Sequence, residues 1–357
     1  MQVDIITRSE DFEKIRKNWS EVYASDTEAT IFASWEWQRG WMEITPYSWS
    51  VLALRQRGAS SYRSFLPLGM HAVRRGRLKV FRKLVIGGEP WADNTGFVCA
   101  PGYAESDLAT FARFVQKKMR WNAFALWHVA DRRLDSFLVH FPGGLFRVHE
   151  VGRVPCPRIL LPDTWEQYLR DFLSTATRKD LKYHMRKVEG LRDFRVTHAE
   201  KGTLEEHIGT LLTLWKARWG RERADELPRI RTLLRRCFEG NSLLLPVLWN
   251  GKEPLAGAAA FLDRRTGTFT GYIMGFNEAF AKLSPGRVMV GYCIRYAVEN
   301  GFRVFDFGAG REEYKLSFGV TERFNRNVVI RRESLPSRLR RSMPEPLKRV
   351  VKRWGGA

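Results

Sequence analysis

Among the 357 residues there is no uninterrupted run of about 18 apolar residues, the minimum for a membrane-spanning helix. Only four cysteines occur, Cys99, Cys156, Cys237 and Cys293, and none forms a CxxC pair. Their spacing excludes a disulfide framework and a zinc cluster. The seven histidines are scattered without metal-ligand spacing, so no metal is expected. The first residues, MQVDIITRSEDFEKI, lack the basic start and apolar core of a signal peptide. These absences together predict a cytoplasmic protein in a reducing compartment. No helix-turn-helix or zinc pattern is present, which argues against sequence-specific DNA recognition.

Acidic residues are also in short supply. Against 60 Lys and Arg stand 39 Asp and Glu, leaving a net charge of +21. Such a balance attracts polyanions or acidic membrane surfaces. The cations cluster at Arg74 to Lys83, at Arg178 to Lys187 and in the tail from Arg331 to the end. The tail mixes Leu, Val and Trp with its cations. It could lie on an anionic membrane at the inner face, or remain a solvated extension broken by Pro336, Pro344 and Pro346. The helix around Arg178, Lys179, Lys182, Arg186 and Lys187 reads either as a solvated face or as a contact for phosphates, tRNA among them.

What is present suffices for two cores, with 44 % apolar residues, 13 % aromatics and a length beyond one ordinary domain. Residues 8 to 23 have a helical apolar pattern, and Thr30 to Trp41 reads as a tryptophan-rich helix whose rings belong to a core or a cleft wall. Ser50 to Arg55 and Tyr62 to His71 predict a hairpin, followed by a short strand, the loop GGEPWADNTG, a helix over 105–120 and further strands at 124–129 and 146–151. Gly152 to Pro162 carries three prolines and predicts a boundary. The second half opens with a basic helical stretch from Thr164 to Gly190, capped by Asp163 or Thr164. A strand, two helices and a run of strands follow, the last being Thr268 to Met274. A helix then opens at Ser284-Pro285-Gly286 and ends at Gly301, and a strand covers Arg303 to Phe307. The expected division is 1–152, 153–333 and a basic tail over 334–357.

Two segments carry chemistry. The first is the helix start LSPGR, where Ser284 can cap and Gly286 lets a ligand reach the backbone. First-turn N–H groups have no partner within a helix, and the dipole is positive there, so an anion such as a pyrophosphate can bind. The second is FDFGAGREEYK, in which a short strand delivers Asp306 into a glycine turn before Glu313, Tyr314 and Lys315. A carboxylate can handle an amine proton, a tyrosine can protonate a leaving thiolate, and a lysine can hold an anion or an oxyanion. The alternatives are an ordinary helix start and an ordinary ion-paired loop.

The pair of segments FNEAFAKLSPGRVMVGYCIRYAVENG and FRVFDFGAGREEYKLSFG resembles the C-terminal part of the FemAB-like branch of the GNAT superfamily. More closely it resembles the CelD-type acetyltransferases of cellulose biosynthesis. The likeness is carried by Gly275-Phe276, Ser284-Pro285-Gly286, Phe305-Asp306-Phe307, Tyr314-Lys315 and Phe318-Gly319. Weaker likenesses are FASWEW at 32–37, the basic stretch TRKDLKYHMRK, and LWKARWG at 214–220. The resemblance implies an α/β (α+β) chain of two tandem GNAT-like domains, each a mixed twisted sheet flanked by helices. It implies transfer of an acyl group from acetyl-CoA or another acyl-CoA to an amine of a sugar, an amino acid or a cell-envelope or exopolysaccharide precursor. The degenerate first domain would face the acceptor. Tyr272, Met274 and Gly275 would line the pantetheine arm, and Ser284, Gly286 and Arg287 the pyrophosphate. Asp306 and Glu313 would handle the amine, with Tyr314 and Lys315 close to the reacting carbonyl. Two other readings fit the same branch: an aminoacyltransferase using charged tRNA, and a non-catalytic envelope assembly protein.

Overall fold

The computed structural model describes residues 1–75, 79–219 and 226–333. The first half runs β1 (Gln2–Ile6), α1 (Ser9–Lys14), α2 (Arg16–Ser25), α3 (Trp35–Ile44), β2 (Ser48–Arg55), β3 (Ser64–Arg75), β4 (Lys79–Ile86), β5 (Val98–Cys99), α4 (Ala104–Lys118), β6 (Ala123–Val129) and α5 (Leu134–Leu138). After β7 (Phe146–Leu160) come α6 (Trp165–Asp171), α7 (Thr175–Glu189), β8 (Phe194–His198), α8 (Leu204–Trp219), α9 (Leu227–Glu239), β9 (Leu243–Leu244), β10 (Pro246–Asn250) and β11 (Glu253–Asp263). The chain closes with β12 (Thr268–Phe276), α10 (Pro285–Glu299), β13 (Val304–Asp306), α11 (Glu313–Leu316) and β14 (Thr321–Arg332). The predicted tail over 334–357 lies outside the described residues.

All of these strands belong to one mixed sheet, in the order β1-β2-β3-β4-β6-β14-β7-β13-β12-β11-β10-β8, with β5 and β9 as short branches. The two halves do not keep separate sheets. β14, last in the chain, inserts between β6 of the first half and β7. The expected boundary at Gly152 therefore falls inside β7, which runs unbroken for 15 residues. Prolines normally interrupt an interior strand because they cannot donate to the ladder. Here Pro155 and Pro157 lie where β7 has a regular strand partner on the β14 side only. Their carbonyls take the N–H groups of Gly310 and Phe307, which belong to a turn rather than a strand. No ladder donor is missed.

Local signals explain the helices. Ser34 accepts the N–H of Trp37 and starts α3 one residue after a 3-10 turn at Ile31–Ala33. Thr164 and Gln167 form a reciprocal capping box on α6. The basic stretch predicted as one helix breaks between α6 and α7, because Ser174 caps a new start by accepting from Thr177. Among the described residues three apolar cores result. One packs α4, α5 and Val328 and Ile330 of β14 on the first-half strands. A second packs α6, α7 and α10 on β10 to β13. The third lies between the halves, where Trp19, Trp37 and Trp41, each 0 % exposed, meet residues of α8 and α9. Burying a tryptophan removes roughly 150–250 Å² from water, worth about 4–6 kcal/mol per ring before entropy is counted. That central core fixes the halves to each other, as Gly40 does on α3, where a Cβ would come within 2.8 Å of Leu233 on α9.

Candidate functional site

β12 and β13 run parallel for only three pairs, Thr268 with Val304, Phe269 with Phe305 and Thr270 with Asp306. Beyond these pairs β13 ends and its chain turns away through Gly308 and Gly310, whose positive φ values of 72° and 108° suit glycine alone. β12 continues to Phe276, still paired with β11 on its other edge. Along Gly271–Phe276 it therefore has no strand neighbour on the β13 side among the described residues, and the sheet parts. A bulge lies at the same place: Ala260 faces Gly271 and Ala259 faces Ile273, so Tyr272 is the extra residue. The bulge turns Tyr272 toward the core between the halves while Met274 and Phe276 face the core under α10.

A cavity of about 940 Å³ fills this gap. Phe305, Phe307 and Val290 line it from the α10 side, and Trp91, Asp93, His128 and Trp215 from the side of the first half and α8. It thus passes through the sheet and opens toward both halves. The first turn of α10 stands at its edge. The N-cap Ser284 adopts a left-handed conformation (φ 51°, ψ 49°), and its side chain makes no cap hydrogen bond, contrary to the capping role expected for it. In that conformation the hydroxyl turns away from the helix and lies 3.4 Å from His184 Nε2. Pro285 has no N–H, so Gly286 and Arg287 carry the first-turn donors, unserved by any side-chain cap. The Arg287 guanidinium pairs with Asp180 at 3.1 Å, donates to Ser317 Oγ at 3.3 Å and lies over the Phe318 ring.

Of the residues singled out in the sequence, Tyr272, Met274, Gly286, Arg287, Tyr314 and Lys315 line the cavity. The other four lie elsewhere. Gly275 packs beneath α8, where a Cβ would meet the backbone of Leu214 and Trp215. Ser284 sits behind the helix start. Glu313 is exposed to solvent. Asp306 points to the opposite face of β13 from Phe305 and Phe307, as strand alternation requires, and borders a second, polar cavity of about 300 Å³ with Arg158 and Arg323. Lys315 is 4 % exposed and ties the glycine turn together. Its ammonium pairs with Glu312 at 2.7 Å and donates to the carbonyls of Ala309 and Gly310 at 3.3 and 3.2 Å.

Sequence reasoning passed over Asp93, Trp91 and His128. All three come from the first half, two of them from the loop GGEPWADNTG. The loop does have one signal, a dense polar run directly after an apolar strand. Asn325 of β14, 0 % exposed, holds the loop by donating to the carbonyl of Asp93 at 2.7 Å and to Asn94 Oδ1 at 2.6 Å. Burial pushes the Asp93 carboxyl up to about 7, and the charge of Asp306 adds to the rise, while the Ala309 N–H and Lys315 work against it. Asp306 is also raised by burial, opposed by the Gly308 N–H, Arg323, Asn94 and Arg158. Among the described residues no cluster of three or more His, Cys, Asp or Glu is arranged to hold a metal ion.

Residues 175–316 match the acetyltransferase (GNAT) domain family. The whole chain shares its fold with solved structures at low identity. FemX matches over 94 % of this chain and 98 % of its own, at 12 % identity and a TM-score of 0.64. L-PGS from Bacillus licheniformis matches over 92 % and 94 %, at 11 % identity and a TM-score of 0.54. The tandem GNAT protein from the clavulanic acid biosynthesis pathway matches over 93 % and 98 %, at 8 % identity and a TM-score of 0.50. No curated protein sequence matches this chain.

Proposed function

We propose that the protein transfers an acyl group from an acyl-CoA thioester to an amine, in keeping with the match of residues 175–316 to the acetyltransferase (GNAT) domain family. The observation that carries this reading is the parting of β12 from β13 in front of the uncapped start of α10. Beyond Thr270 no described strand lies beside that edge of β12, which leaves room for an extended pantetheine arm to run along it. The N–H groups of Gly286 and Arg287, with the helix dipole behind them, suit a pyrophosphate. The thioester carbonyl then lies where the two halves meet. Tyr314 lies on the cavity wall beside the turn, and in this reading it gives its proton to the departing thiolate. Lys315 holds the turn that carries Tyr314. The acceptor, an amine of a sugar or other small molecule, enters from the first-half side.

Calorimetric titration with acetyl-CoA tests the reading. One molecule should bind per chain, and Arg287→Gln should weaken it about tenfold, the loss of one charge-assisted contact. A protein that takes up no acyl-CoA at all overturns the proposal.

A second reading has its own support. The outward face of α7 gathers Lys179, Lys182, Arg186 and Lys187 around the exposed ring of Tyr183. Such a face suits a polyanion, and an aminoacyl-tRNA donor would use it. Here binding of tRNA should fall by orders of magnitude between about 50 and 200 mM salt and drop further in Lys182→Glu. Indifference to tRNA at low salt removes this reading.

A further inference from the structure

We infer that Asp93, delivered from the first half of the chain, takes the proton of the attacking amine, and that Asp306 behind it is a positioning residue for that carboxyl. The inference rests on the acyl-transfer reading above and adds a catalytic contribution from the first half.

The geometry begins at the glycine turn. Asp93 lies on the cavity wall and abuts the place where β13 leaves β12. Its carboxyl accepts the Ala309 N–H. Any side chain at Gly308 would collide with Asp93 Oδ2, so glycine is required there twice, for its φ of 72° and for this approach. Gly308 also serves Asp306, whose Oδ1 takes the Gly308 N–H at 2.8 Å while Asn94 donates to Oδ2 at 3.4 Å. One glycine therefore separates two carboxyls that open to different cavities, Asp93 to the large one and Asp306 to the polar one. The other carboxylate at the turn, Glu312, is tied to Lys315 at 2.7 Å. Glu313 faces solvent. The buried loop anchor Asn325 fixes Asp93 against the gap rather than leaving it on a mobile tip.

Two carboxyls on one small turn, partly removed from water, cannot both hold full charge easily, and their proton affinities move apart. The groups that face Asp93 are Asp306 on β13, Glu312 and Lys315 in the turn and on α11, and the Cys156 thiol on β7, itself pushed up to about 12 by burial and by both aspartates. Arg158 and Arg323 face Asp306 and favour its charged form. Burial first, and the nearby Asp306 after it, raise Asp93 into the range where a carboxylate works as a base near neutral pH. The step balances simply. The amine nitrogen forms a bond to the thioester carbonyl carbon, the carbon–sulfur bond breaks, the amine proton goes to Asp93, and the thiolate takes the Tyr314 proton.

Carboxyl carbon NMR of aspartate-labelled full chain tests the arrangement without needing turnover. The Asp93 signal, identified by its loss in Asp93→Asn, should titrate with a midpoint near 7 and move lower in Asp306→Asn. Acetyl transfer from acetyl-CoA to glucosamine, the probe amine, should lose about 10²–10⁴ in kcat in Asp93→Asn while acetyl-CoA affinity is kept. The acid limb of the rate profile should shift to lower pH in Asp306→Asn. The fold provides its own control. A carboxyl raised in the folded state gives stability that is lost as pH climbs from about 4 through about 7, so Asp93→Asn should melt no lower than wild type at about pH 8. An Asp93 midpoint in the ordinary range near 4, or an Asp93→Asn kcat within about threefold of wild type, overturns this assignment alone. A wild type that binds no acetyl-CoA overturns the acyl-transfer reading instead.

Discussion

Gly275→Val is expected to leave little folded protein. β12 crosses beneath α8 at this residue, and a Cβ there would stand 2.5 Å from the carbonyl carbon of Leu214, 2.8 Å from its Cβ, and closer still to the Trp215 nitrogen. The colliding atoms are mostly helix backbone, which cannot rotate aside as a side chain can. Overpacking against movable side chains costs about 1–3 kcal/mol, and a clash with backbone belongs at or above the upper end. That is a large part of a stability of roughly 5–15 kcal/mol. Relief would require α8 to lift from the sheet, and Trp215 on α8 is also part of the cavity wall. Denaturant unfolding and soluble yield measure the effect. Gly202→Ala is the matched control, because a Cβ there meets nothing within 4 Å. Gly275→Val with wild-type stability would mean that α8 and β12 are not in close contact.

The second large effect is expected at Lys315. Lys315→Ala removes a buried cation from Glu312 and from the Ala309 and Gly310 carbonyls. Breaking a buried pair by deleting one partner costs about 3–5 kcal/mol; Glu312, 44 % exposed in its side chain, can recover some hydration, so about 2–3 kcal/mol is expected. The loosened turn also carries the Ala309 N–H that orients Asp93. Stability and turnover should therefore fall together in Lys315→Ala. In Asp93→Asn turnover should fall with melting preserved. Thermal melts alongside acetyl-transfer rates separate the two patterns. A Lys315→Ala protein that melts normally but does not turn over would restore the direct anion-binding role that the motif YK suggests on its own.

These two residues also show how far a sequence can be read. The segments around LSPGR and FDFGAGREEYK were visible because their signals are local. A proline and a glycine at a helix start, alternating apolar residues in β12, and two glycines after a short strand each depend on neighbours a few positions away. Six of the ten residues drawn from those segments do line the cavity. Of the four that do not, Glu313 faces solvent, and the other three are set by facts that spacing cannot express. Gly275 answers to a helix some 60 positions earlier. Ser284 takes a left-handed conformation instead of capping. Asp306 follows the pleat to the other face of the sheet.

The sequence by itself determined the mixed α/β elements, the proline and glycine start of α10, and the glycine turn with its tyrosine and lysine, because all of these are set by short-range backbone preferences. Tertiary structure alone decided that β7 would run through its prolines, that β14 would return between β6 and β7 to weld the halves into one sheet, and that the sheet would part beside α10. It also decided that Asp93 would reach the gap. Its raised proton affinity has no counterpart in the residues around it in sequence. It arises only when the two halves close over most of the carboxyl and set Asp306 behind it.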